Sequence, residues 1–200
     1  QTLNLQQGDV TLTAEKSGLK AQVHIWVDVF RPVVHVAVSS NQKLTAEARY
    51  ESWRHQDRVP KGKENNQNSY KWAPQGEVKT RHDSLSFRGA AVEFVHQNRP
   101  QTVFDVAVRQ QGLEAVKAQL YNPLQHLTFG GALTGENMQP AGTTEGQYQR
   151  TPYRAYALRS RTAARSHALT LALHTSYAPA LAQWQQQLRQ TLQAAQQNPK

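Results

Sequence analysis

The chain has 200 residues, 38% of them hydrophobic and 18% charged, with no cysteine. That length suits one large β domain or two small ones, and the missing cysteines exclude a disulfide framework, a thiolate metal site and a thiol nucleophile. Against 14 Asp and Glu stand 23 Lys and Arg, a formal net charge of +9, while no apolar run approaches the roughly 18 residues of a membrane helix.

From Thr2 onward the dominant hydrophobic period is two. Leu3 and Leu5, then Val10, Leu12 and Ala14, flank Gly8-Asp9 as a predicted hairpin. After Ser17-Gly18 the run from Leu19 to Phe30 alternates cleanly, and this is the clearest strand of the chain. Arg31-Pro32 interrupts it. Val34, Val36 and Val38 resume the alternation up to an expected turn at Ser40-Asn41, and Leu44 to Tyr50 reads as a further strand ending in Glu51-Ser52-Trp53-Arg54. A long polar connection follows from His55 to about Asp83, interrupted by Tyr70 and Trp72.

Strand signals return at Ser84–Arg88, Ala91–His96 and Thr102–Gln110. An irregular or helical piece around Leu113–Leu120 leads to a strand at Leu127–Leu133, and Gly135–Gln149 reads as loop. Tyr153–Ser160 and His167–Tyr177 are the last predicted strands. Beyond Pro179 the period changes, since Leu181, Trp184, Leu188, Leu192 and Ala195 recur at three and four residues, which predicts an amphipathic helix with one narrow apolar stripe. Many short strands and one long helix predict an all-β fold, an antiparallel β-sandwich with one carboxy-terminal helix. The division expected is a sandwich over 1–177 and a helix over 178–200.

The charge is uneven. Gln147 to Lys200 contains no acid but seven cations, Arg150, Arg154, Arg159, Arg161, Arg165, Arg189 and Lys200, and a second basic stretch runs from Arg54 to Arg81. Neither interleaves aromatics in an RNA-binding pattern, so nucleic acid is not an expected partner, although Arg150 to Arg165 leaves open an interaction domain for a polyanion. Eight histidines include no metal-ligand spacing, and no GxSxG, Walker A or GxGxxG is present, so no metal or cofactor is expected.

Glycoside hydrolysis needs two carboxyl groups about 5 to 10 Å apart. The candidate acids are Asp28, Glu51, Glu93 and Asp105, each on a predicted strand and each more simply read as an outward charge, and no catalytic residue is expected. Trp53-Arg54-His55 at a strand end, the Tyr70 and Trp72 loop, and His96 with Asn98 form the candidate substrate-binding set: rings stack on sugar C–H faces while Arg, His and Asn donate to hydroxyls. The alternative is that Trp53 packs in a core or against another domain and Arg54 pairs with Glu51.

The segments Ile25–Val36, Glu51–Arg54, His96–Arg99, Asn122–Leu124 and Thr128–Gly131, in that order, resemble the amino-terminal β-sandwich domain, supersandwich-like and of unknown function, of large bacterial glycoside-hydrolase-like proteins related to family-95 α-L-fucosidases. Gln97 departs from that family, which favours Arg there. The resemblance implies a periplasmic or extracellular protein acting on polysaccharide, in which this domain is non-catalytic, packs on a catalytic (α/α)6 barrel of the same protein, to which the closing helix 178–200 is the linker, and lends side chains to carbohydrate. A free-standing carbohydrate-binding module is the rival expectation.

Overall fold

A computed structural model describes residues 1–59, 79–149 and 151–197. The strands are β1 (Thr2–Asn4), β2 (Asp9–Lys16), β3 (Leu19–Val27), β4 (Val33–Leu44), β5 (Glu47–Ser52), β6 (Ser84–Arg88), β7 (Ala91–Gln97), β8 (Thr128–Gly135), β9 (Met138–Tyr148), β10 (Thr151–Ser160) and β11 (Ala164–Ser176). Between β7 and β8 lie helix α1 (Val103–Gln110) and a 3-10 turn (Glu114–Gln119), and helix α2 (Leu181–Gln197) follows β11. Two antiparallel sheets result, one of eight strands in the order β1-β2-β3-β4-β11-β8-β7-β6 and one of three in the order β5-β10-β9. The fold is a β-sandwich with a carboxy-terminal helix.

Alternation explains the layers. On β7 the even positions Val92 and Phe94 face the small sheet, where Val92 joins Met138, Leu158 and Leu169 in the inter-sheet core and Phe94 stacks on Tyr50 at 3.9 Å. The odd position Val95 faces the other way, into a second core with Val33, Ala132, Ala172 and the α2 residues Trp184, Leu188 and Ala195. The stripe read in the sequence therefore lies on the large sheet, opposite the small one. Trp184, fully buried, donates its indole N–H to the carbonyl of His174 at 3.3 Å. Among the described residues no helix is long and apolar enough to cross a membrane.

Four local expectations are corrected. The Leu19–Phe30 run stops at Val27, because Asp28 accepts the N–H of Phe30 at 2.9 Å and pairs with Arg31, folding Asp28–Arg31 into a turn. No turn occurs at Ser40-Asn41. β4 continues to Leu44, opposite an irregularity in β11 between Ala164 and Ser166, and the Asn41 amide bonds to Lys20 and Gly18 on the neighbouring hairpin instead.

The third correction is Thr102–Gln110, which is the helix α1. Its β-branched valines suggest a strand, but the Asp105 carboxylate accepts the Thr102 N–H at 2.7 Å at the helix start. The fourth is Gly135–Gln149, which holds β9. That strand is the edge of the small sheet and exposed along nearly its whole length, so it carries no apolar alternation to be read.

Candidate functional site

The carboxyl end of β7 and the start of β8 lie side by side, with His96 opposite Phe129 in register. The chain leaving β5 reaches the same place through Arg54, whose carbonyl accepts the N–H of Asp83 at 2.7 Å. Asp83 is the keystone. Its buried carboxylate meets the Arg54 guanidinium at 3.0 Å and His96 Nδ1 at 2.9 Å, so a single anion orients two side chains from separate chain segments. Phe129 supports them: the guanidinium lies 5.2 Å from the ring centre and the imidazole centroid 5.1 Å away.

Asn98 closes the arrangement. Its backbone N–H donates to the carbonyl of Leu127 at 2.9 Å and its side-chain amide to that of Leu124 at 3.0 Å. The Asn122 side chain in turn accepts the N–H of Leu124 at 3.0 Å, an Asx turn that shapes the Asn122-Pro123-Leu124 segment. Behind it, the Phe129-Gly130-Gly131 run needs glycine for space: a Cβ at Gly131 would come within 2.8 Å of the Phe94 ring.

These residues border a groove of about 670 Å³ between the β7–β8 end and α1, whose walls include Arg54, His96, Asn98, Thr102, Asp105 and Phe129. Its volume lies within the range of about 300–1,000 Å³ typical of small-molecule sites. Asp105, the one acid among the described lining residues, is committed to the Thr102 N–H and to Lys117 at 2.5 Å. Burial alone would raise its pKa. The Lys117 ammonium and the Thr102 N–H outweigh that and leave it below the ordinary carboxylate value.

The structure thus brings Arg54, His96 and Asn98 to one groove. Trp53 is 50% exposed and stacks on Tyr148, itself 61% exposed, with ring centres 6.2 Å apart. His55 does not line the groove, and its Nδ1 is buried without a hydrogen-bond partner. Tyr70 and Trp72 lie outside the described residues. Arg54 pairs with Asp83 in place of the Glu51 suggested by proximity in sequence. Sequence reasoning missed Asp83, and Phe129 and Tyr148 as partners, because strand pairing alone brings them near.

The four acids weighed for catalysis are not brought together. Asp28 holds Arg31 and the Phe30 N–H, which keep its carboxyl below the usual range. Glu51 is exposed on the small sheet, Glu93 accepts from Gln185 of α2 at 2.6 Å, and Asp105 caps α1. The carboxy-terminal cations are partly neutralised, Arg154 by Glu145 and Arg159 by Glu47, both at 2.6 Å. Among the described residues no cluster of three or more His, Cys, Asp or Glu could hold a metal ion.

A family model described as a domain of unknown function, DUF5703, in its amino-terminal part, matches residues 1–200. No curated protein matches the chain. Among solved structures the chain is similar to one described as "Putative kojibiose phosphorylase from human microbiome", at 9% identity and a TM-score of 0.45 over 96% of this chain. The chain spans 21% of the length of that protein.

Proposed function

This chain belongs to the DUF5703 amino-terminal domain family, and from that premise we propose that it is the non-catalytic β-sandwich front domain of a bacterial glycoside hydrolase acting on polysaccharide and related to family-95 α-L-fucosidases. The observation that carries the reading is the groove in which Arg54, His96 and Asn98, drawn from separate chain segments, converge beside α1. A guanidinium, an imidazole and an amide offer directed donors of the kind that position sugar hydroxyls. The acids beside them have other work, Asp83 orienting Arg54 and His96 and Asp105 capping α1.

In this reading catalysis belongs to a further domain of the same protein, an (α/α)6 barrel on which the sandwich packs. The segment 178–200, through α2, leads toward it, and the protein works in the periplasm or outside the cell. The exposed Trp53–Tyr148 pair favours a second reading, a free-standing carbohydrate-binding module, because two neighbouring exposed rings can receive a sugar face.

Expressing the full gene product beside this chain separates the two. With a panel of fucosylated and plant-type oligosaccharides, the full protein is expected to cleave and this chain to cleave nothing. Arg54→Ala in the full protein is expected to raise KM more than it lowers kcat. Glycan binding by this chain alone, abolished by Trp53→Ala, establishes the module instead. A full protein inert toward every glycan, with no binding by the chain, removes both.

A further inference from the structure

The groove carries a charge bias that neutral sugar recognition does not require. Among the described residues, Lys79, Arg81, Arg99 and Arg109 line it together with Arg54, and Asp105 is the single acid of that lining. Asp105 is already answered by Lys117, and Asp83 beneath the floor by Arg54 and His96. Asp57 offsets Arg81 in part at 2.5 Å. Lys79 and Arg99 make no ion pair with a described residue, and both are exposed at the rim.

In the acid-free last quarter of the sequence Arg154 and Arg159 meet Glu145 and Glu47, while Arg161, Arg165 and Arg189 lie exposed outside the groove. Among the described residues two cations without an ion pair, Lys79 and Arg99, thus meet at the rim of one concave site, whose low-dielectric walls strengthen its potential. Asp83 and Phe129 hold Arg54 before any ligand arrives, which lowers the ordering cost of an ion pair with a ligand.

We propose that the groove binds an acidic glycan, one whose sugars carry carboxylate or sulfate groups, with Arg99 and Lys79 engaging the anion and His96 and Asn98 at the hydroxyls. This rests on the sugar-contacting role proposed above and names its substrate class. The confined volume and the flanking amide and imidazole favour a sugar over an extended polyanion such as nucleic acid, which needs a basic surface rather than a pocket. The bidentate fork of arginine suits either anionic group.

The test uses this chain, labelled for NMR, at 50 and 300 mM NaCl. The probes are a galacturonate hexasaccharide, a chondroitin sulfate hexasaccharide, cellohexaose and inorganic polyphosphate. One or both acidic hexasaccharides are expected to shift the His96, Asn98 and Phe129 resonances, to bind more weakly at the higher salt, and to lose about tenfold or more in affinity with Lys79→Glu/Arg99→Glu. Which of the two binds identifies the anion.

Milder Lys79→Gln/Arg99→Gln variants, with thermal melts matching the parent, serve if the charge reversals perturb folding. Binding of cellohexaose in the same groove, equal in strength and indifferent to the variants, overturns the acidic preference and leaves the sugar role standing. Binding of polyphosphate with no sugar bound overturns both, as does an absence of binding by every probe.

Discussion

The imidazole of His35 is 5% exposed and stacks on Trp26, with ring centres 5.0 Å apart and planes 12° from parallel. Its Nε2 is buried without a hydrogen-bond partner, so a proton placed there would have no acceptor. Burial accordingly lowers its pKa below the ordinary histidine value; the Asp28 carboxylate works the other way and the Arg31 guanidinium adds to the lowering. The unfolded chain titrates near 6.5 and takes up protons first. His35 therefore lends stability that is complete above about pH 6.5 and declines as pH falls from there through its lower folded value. Ring carbon-proton NMR is expected to place the His35 midpoint below 6.5, and His35→Phe is expected to flatten the pH dependence of stability in that window. A midpoint at or above 6.5 would show that the ring is solvated or partnered.

Among the elements, α2 shows most directly how far pattern reading reaches. Its spacing of Leu181, Trp184, Leu188, Leu192 and Ala195 names the buried stripe, and those residues do pack on Val33, Val95, Ala132 and Ala172. Because Trp184 is wholly buried and its indole N–H is bonded, Trp184→Ala is expected to cost about 3–5 kcal/mol in urea unfolding. A cost below about 1 kcal/mol would mean that α2 is only loosely docked. The strands β3, β4, β7 and β11 were readable from their recurring apolar residues, which in β4, β7 and β11 enter both cores. Burial imposes alternation, and alternation is visible in a sequence. β9 escaped because an edge strand exposed along nearly its whole length imposes none. α1 escaped because Val103, Val106 and Val108 favour strand locally, while the Asp105 carboxylate at the Thr102 N–H settles the helix start. Of the site, Arg54, His96 and Asn98 stood out as polar residues ending strands. Their common anchor Asp83 did not, since only pairing of distant segments places it under both.

Over the whole molecule the carboxylates are few and several hold a cation, so acid should act through them in concert. Asp28 is lowered by the Phe30 N–H and the Arg31 side chain, and Arg31 also donates to the Ala194 carbonyl, joining the β3–β4 turn to α2. The side chains of Arg159 and Arg49 lower Glu47, the Arg154 side chain lowers Glu145, and the His82 N–H with the Arg81 guanidinium holds Asp57 far below the usual range. Each pKa is depressed in the folded state, so each contribution is present above the unfolded values, near 3.9 for Asp and 4.3 for Glu, and is lost as pH falls through the folded ones. Thermal melts are therefore expected to show their steepest decline in Tm below about pH 4. Protonation also adds to a formal charge of +9, and self-repulsion would produce a decline of the same sign. Salt separates the causes. Raising NaCl to 0.3 M shortens the screening length to between about 3 and 10 Å and relieves repulsion across the molecule, but it cannot return a carboxylate that has taken up a proton. If lost ion pairs dominate, Tm at pH 3 stays low in salt; recovery toward the pH 6 value would assign the loss to net charge instead.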